Sequence, residues 1–79
     1  MIIEITRGQI RLEFGDKIAR IEGEAYARGY GSPDFVVYKD SIRWDPPFDG
    51  SVVDENTRYK ILATLKEELA KKHMTFEIE

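Results

Sequence analysis

A chain of 79 residues, 42% apolar and 34% charged, can bury only about 60% of its unfolded surface and so supports a single hydrophobic core, while this balance excludes an intrinsically disordered chain. It has no cysteine, which excludes disulfides and thiolate metal sites, and no apolar run long enough to span a bilayer as a helix. The formal charge is −3, distributed unevenly: residues 1–33 cancel, residues 34–55 carry six acids against Lys39 and Arg43, and residues 56–73 carry five bases against Glu67 and Glu68.

The start, Met1-Ile2-Ile3-Glu4-Ile5-Thr6-Arg7, has neither the basic nor the long apolar stretch of a secretory leader, so a cytoplasmic location is expected. Ile3 and Ile5 alternate with Glu4 and Thr6, and Ile10, Leu12 and Phe14 alternate with Arg11 and Glu13. This is the period of half-buried strands at 2–6 and 9–14. Arg7-Gly8 and Gly15-Asp16 read as tight hairpin links. A third strand, 17–26, alternates less cleanly because Ile18 and Ile21 have opposite parity; a bulge near Ala19 or Arg20 would reconcile them. The small Gly23, Ala25 and Ala27 leave room for something bulky on the facing layer, with the helix as the expected occupant.

Glycine, serine and proline between Arg28 and Asp34 make a loop. Phe35-Val36-Val37-Tyr38 begins a strand that could extend through Ile42 to Trp44, ended by Asp45-Pro46-Pro47, where the prolines cannot donate to a ladder. From Asp54 the period changes. Ile61, Leu62, Leu65 and Leu69 form a helical stripe over 54–72, with Asp54 as N-cap and Lys71 and Lys72 at the negative end of the dipole. Leu62, Leu65 and Leu69 are expected to face the sheet. Met74, Phe76 and Ile78 give a last strand, either an edge or beside the first. The expected architecture is α+β: residues 1–79 as one domain, one mostly antiparallel sheet of about five strands in the order β-β-β-β-α-β, with one amphipathic helix on one face.

No catalytic constellation is present: there is no phosphate loop, no paired nucleophile and base, and His73 stands alone beside two lysines, where a helix-end role suits it better than catalysis or metal binding. Asp40, Asp45 and Asp49 read as solvated acids rather than a magnesium site. The acidic middle disfavours nucleic acid, and the helix with Arg58, Lys60, Lys66, Lys71 and Lys72 also carries acids. No cofactor, metal, membrane or nucleic-acid partner is therefore expected.

The conspicuous segment is 38–49. Tyr38, Asp40, Arg43, Trp44, Asp45, Pro46, Pro47, Phe48 and Asp49 combine aromatics, charges and a stiff diproline, and Trp, Tyr and Arg are the side chains that most often anchor protein interfaces. These nine are the candidate partner-binding residues, with Asp40, Asp45 and Asp49 expected to be exposed. A structural role is equally open for Trp44, which could cover the end of the sheet while Phe48 packs under the helix.

The run Phe-Val-Val-Tyr-Lys-Asp-Ser-Ile-Arg-Trp-Asp-Pro-Pro from Phe35 to Pro47, followed by an acidic loop and an Ile/Leu helix, resembles a family of small bacterial immunity proteins of polymorphic toxin systems. The opening Ile-Glu-Ile-Thr-Arg-Gly-Gln-Ile-Arg-Leu-Glu-Phe is similar to that family's first hairpin, and residues 26–34 fit least. The resemblance implies an α+β fold and neutralisation of a cognate toxin by binding, without catalysis. It carries Trp44, Asp45, Pro46 and Pro47 as its motif. The alternative is a generic β-sheet adaptor that presents the same surface to a host protein or to itself.

Overall fold

The computed structural model of the chain describes residues 1–26, 31 and 33–79. Its elements are β1 (Ile2–Ile5), β2 (Gln9–Phe14), β3 (Lys17–Ala25), β4 (Phe35–Val37), a 3-10 turn (Lys39–Ser41), β5 (Arg43–Trp44), α1 (Glu55–Lys71) and β6 (Phe76–Ile78). They form one sheet ordered β1-β2-β3-β4-β6, with β5 also on β3. Every pairing is antiparallel except β4 with β6. This is the α+β arrangement the periodicities imply.

The β2–β3 hairpin turns at Gly15, whose φ of 65° is the left-handed geometry that glycine adopts without steric cost. Its register is unbroken from Phe14↔Lys17 to Gln9↔Glu22, so the bulge expected near Ala19 or Arg20 is absent. Ile18 simply faces the outer side, half-buried, while Ile21 enters the core. The irregularity lies instead in β1, between Ile2 and Glu4.

The strand expected from Phe35 to Trp44 is broken. Val37 pairs with Gly23 and Arg43 with Arg20, so the chain spends three more residues than β3 over the same stretch. The excursion is an odd number, and it changes which parity faces inward. Phe35 and Val37 before it and Ile42 and Trp44 after it consequently share one core. Ser41 closes the gap: its hydroxyl accepts from the Glu22 N–H at 2.9 Å and donates to the Tyr38 carbonyl at 2.6 Å, while the Tyr38 N–H donates to the Glu22 carbonyl at 2.8 Å. The Glu22 N–H and carbonyl, which lie opposite the break, both keep partners.

β4 reads Phe-Val-Val without alternation because it lies between two strands and all three residues are buried. Gly23 gives the space that its size suggests, but not to the helix. A Cβ there would overlap the Val36 carbonyl and lie 2.5 Å from the Phe35 ring, so the neighbouring strand fills the room. Ala25 is exposed, and Ala27 and most of the 28–34 loop lie outside the described residues.

Ile61, Leu65 and Leu69 of α1 are fully buried against Ile10, Leu12, Ile21, Phe35 and Val37, and Leu62 is only partly buried. Asp54 caps the helix as expected, accepting from the Thr57 N–H at 2.7 Å. At the other end His73 takes φ 56°, with the Met74 N–H bonding the Leu69 carbonyl at 2.9 Å and the His73 N–H the Ala70 carbonyl at 3.0 Å. This is a Schellman ending with histidine where glycine is usual. His73 therefore serves the helix end through its backbone geometry.

Candidate functional site

The 38–49 segment forms a corner at the end of β3. Trp44 pairs with Ala19 and is 5% exposed, its ring 6.1 Å from that of Phe14. The Lys17 ammonium lies 5.2 Å from the Trp44 ring centre and 5.2 Å from that of Phe48, an attraction between cation and ring faces. Phe48 therefore rests on Lys17, outside the core, rather than under the helix. Trp44 is thus largely covered at the end of the sheet.

One residue on, the pleat turns Asp45 to the outer face, between two arginines of β2 and β3. The Arg11 Nε donates to its Oδ2 at 2.8 Å, and the Arg20 Nε lies 3.4 Å from its Oδ1, off line for a hydrogen bond. The Asp45 side chain is 12% exposed, so the expectation of three exposed acids fails here. An isolated carboxylate so covered would lose hydration, and the flanking guanidiniums compensate that loss. Asp40 is 84% exposed, with the Arg58 Nη1 3.4 Å away, and Asp49 is exposed without an ion pair among the described residues.

The remaining candidates are on the surface. Arg43 pairs with Glu22 at 3.1 Å. Tyr38 donates its hydroxyl proton to Glu24 at 3.2 Å, and that bond, with lesser help from burial and nearby negative charge, raises its pKa above the ordinary phenol range. Pro46, Pro47 and Phe48 are exposed at the corner. Two of the six acids of residues 34–55 are thus matched by bases from other segments: Asp45 by Arg11 and Arg20, Asp40 by Arg58.

A second surface escaped the sequence reading. Tyr59, Leu62, Ala63 and Lys66 of α1, with Phe76 and Ile78 of β6, line a groove of about 310 Å³. Tyr59 is 76% exposed and Ile78 47%. The signal was available, because Tyr59, Leu62, Ala63, Lys66 and Ala70 recur at helical spacing beside the buried stripe. Which side of the helix stays uncovered is not written in that spacing. Among the described residues no group of three acids or histidines could hold a metal, and no helix is long and apolar enough to cross a membrane.

The fold is a small sheet with one helix and an open apolar groove, and comparison with known families defines the class: the immunity proteins. The matching family model covers residues 2–79. The chain belongs to the Immunity protein 74 family. No curated protein and no solved structure matches it.

Proposed function

We propose that this chain neutralises a cognate toxin by binding it directly, one copy to one toxin, without turnover. The match to an immunity family over residues 2–79 is the observation that carries the reading, since it spans both the corner and the groove. On this reading it acts in the cytoplasm of the cell that makes the toxin. The exposed members of the corner, Tyr38, Asp40, Arg43, Pro46, Pro47, Phe48 and Asp49, are proposed contacts, while Trp44 and Asp45 hold them in place from below.

The test is co-expression with the toxic domain encoded beside this gene, scored by survival, followed by association kinetics between the purified proteins at several salt concentrations. Survival together with a one-to-one complex is expected. Exposed acids steer encounter with a basic partner, so neutralising Asp40 and Asp49 together should slow association by about tenfold at low salt and less at high salt. Absence of both protection and complex would overturn the reading and favour the adaptor alternative.

A further inference from the structure

Among the described residues, the backbone groups of Phe76 and Ile78 in β6 face no partner strand. The Thr75 carbonyl accepts from the Phe35 N–H at 3.3 Å, the Glu79 N–H donates to the Val37 carbonyl at 2.8 Å, and the Glu79 carbonyl accepts from the Lys39 N–H at 2.9 Å. Odd-numbered residues therefore turn their backbone groups toward β4, and alternation turns those of Phe76 and Ile78 outward. Among the described residues no strand pairs with that edge. The β1 edge is interrupted by its irregularity between Ile2 and Glu4, one of the usual ways of blunting an edge. β6 has neither bulge nor proline.

The edge also has two chemically different sides. Phe76 and Ile78 lie over the apolar groove with Tyr59, Leu62 and Ala63, whereas Glu77 and Glu79 are exposed on the opposite side and Glu24 lies two strands in, across Val36. We propose that β6 and α1 together form a strand-addition site for an extended segment of a partner protein in which apolar residues alternate with lysine or arginine. Outward N–H and C=O groups of Phe76 and Ile78 would pair with its backbone, the groove would take its apolar side chains, and Glu77 and Glu79 would face its basic ones. A second copy of this chain suits the site poorly. Antiparallel pairing of two β6 strands centred on Glu77 sets like charges directly opposite.

The proposal rests on the reading of this chain as a binding protein, and its test does not require the toxin. The intact protein, isotopically labelled, is titrated with the peptide acetyl-Lys-Val-Lys-Val-Lys-Val-amide and with its counterpart in which each lysine is replaced by glutamate. The basic peptide should bind, slowing amide exchange at Phe76 and Ile78 by about tenfold or more while Thr75, Glu77 and Glu79 change little. Ala63→Lys, which fills the groove wall, and Glu77→Lys, which reverses the charge, should each weaken binding about tenfold with melting unchanged.

No binding, equal binding of the acidic peptide, or protection confined to residues 38–49 would each overturn the proposal. Protection of Phe76 and Ile78 without peptide, together with a dimer mass by sedimentation, would assign the edge to a second copy and overturn it as well. Failure here and failure of the immunity reading are separable. A neutralised toxin whose complex leaves these two amides exchanging freely removes only the strand site, and peptide binding without protection from toxin removes only the immunity reading.

Discussion

The corner around Trp44 and the edge along β6 differ in a way that residue type alone would invert. The corner holds the tryptophan, the arginines and the diproline, which are side chains associated with interfaces, yet Trp44 is sealed beneath Phe14 and Lys17 and Asp45 is held between Arg11 and Arg20. The β6 edge holds a plain Thr-Phe-Glu-Ile-Glu run, and among the described residues no strand covers its outer side and the groove beside it stays open. In a domain this small the fold consumes its largest side chain for its own stability. Surface left free for a partner is then decided by what the elements fail to cover.

The sharpest way to break that contrast is to truncate one aromatic from each region. Trp44→Ala should cost about 3–5 kcal/mol, a large share of the stability of so short a chain, whereas Tyr59→Ser should cost under about 0.5 kcal/mol. Denaturant melts of the two variants decide the matter, and similar losses would erase the distinction between support and open surface. Gly23→Ala comes next. Its new methyl meets the Val36 carbonyl and the Phe35 ring, and overpacking between β3 and β4 should cost about 1–3 kcal/mol while leaving both the corner and the groove chemically intact.

A smaller effect of opposite sign is expected where α1 turns into β6. His73 stands at positive φ, so His73→Gly should raise stability by about 0.5–1 kcal/mol, seen as a higher melting temperature, by relieving a left-handed residue without touching either surface. The weakest lever is acid. Hydrogen bonding to the Thr57 N–H lowers the pKa of Asp54, and Lys71, then the amino terminus, lowers that of Glu68. Carboxyls lowered in the folded state contribute stability that is fully present above the ordinary carboxylate range and lost as pH falls below it, through their lowered folded-state values. Melting temperature should therefore decline on acidification, with Asp54→Asn flattening part of that decline. The decline should be slight because Asp54 is open to solvent.

Much of this molecule is legible because its signals are local. Period-two alternation gives β2 and the last strand, a change to helical period gives α1, and Asp54 announces its own cap. In β1 the alternation of Ile3 with Ile5 misleads, because the irregularity between Ile2 and Glu4 packs Ile2 and Ile5 on the core and leaves Ile3 exposed. The break at Lys39–Ser41 is not legible in the same way. Val36, Tyr38, Ile42 and Trp44 share parity and spell a continuous strand, and only pairing with β3 reveals a three-residue excursion that puts Phe35 and Val37 with Ile42 and Trp44 instead. Ile18 misleads for a related reason. An isoleucine on the outer face imitates a bulge when alternation is the only guide.

The candidate site divides along the same line. Residue types at 38–49, the acidic balance of the middle segment and the Trp-Asp-Pro-Pro run all belong to the sequence by itself, as do the α+β class and the helix stripe. Tertiary structure decided that Asp45 is covered, since Arg11, Arg20 and Asp45 lie far apart in the chain and meet only when β2, β3 and β5 align. It also decided that Tyr59 and Ile78 flank one groove, because β6 returns parallel to β4 at the sheet's edge. Propensity and period act over a few neighbouring residues, whereas exposure depends on which distant segments arrive to exclude water, and that is settled only by packing the whole chain.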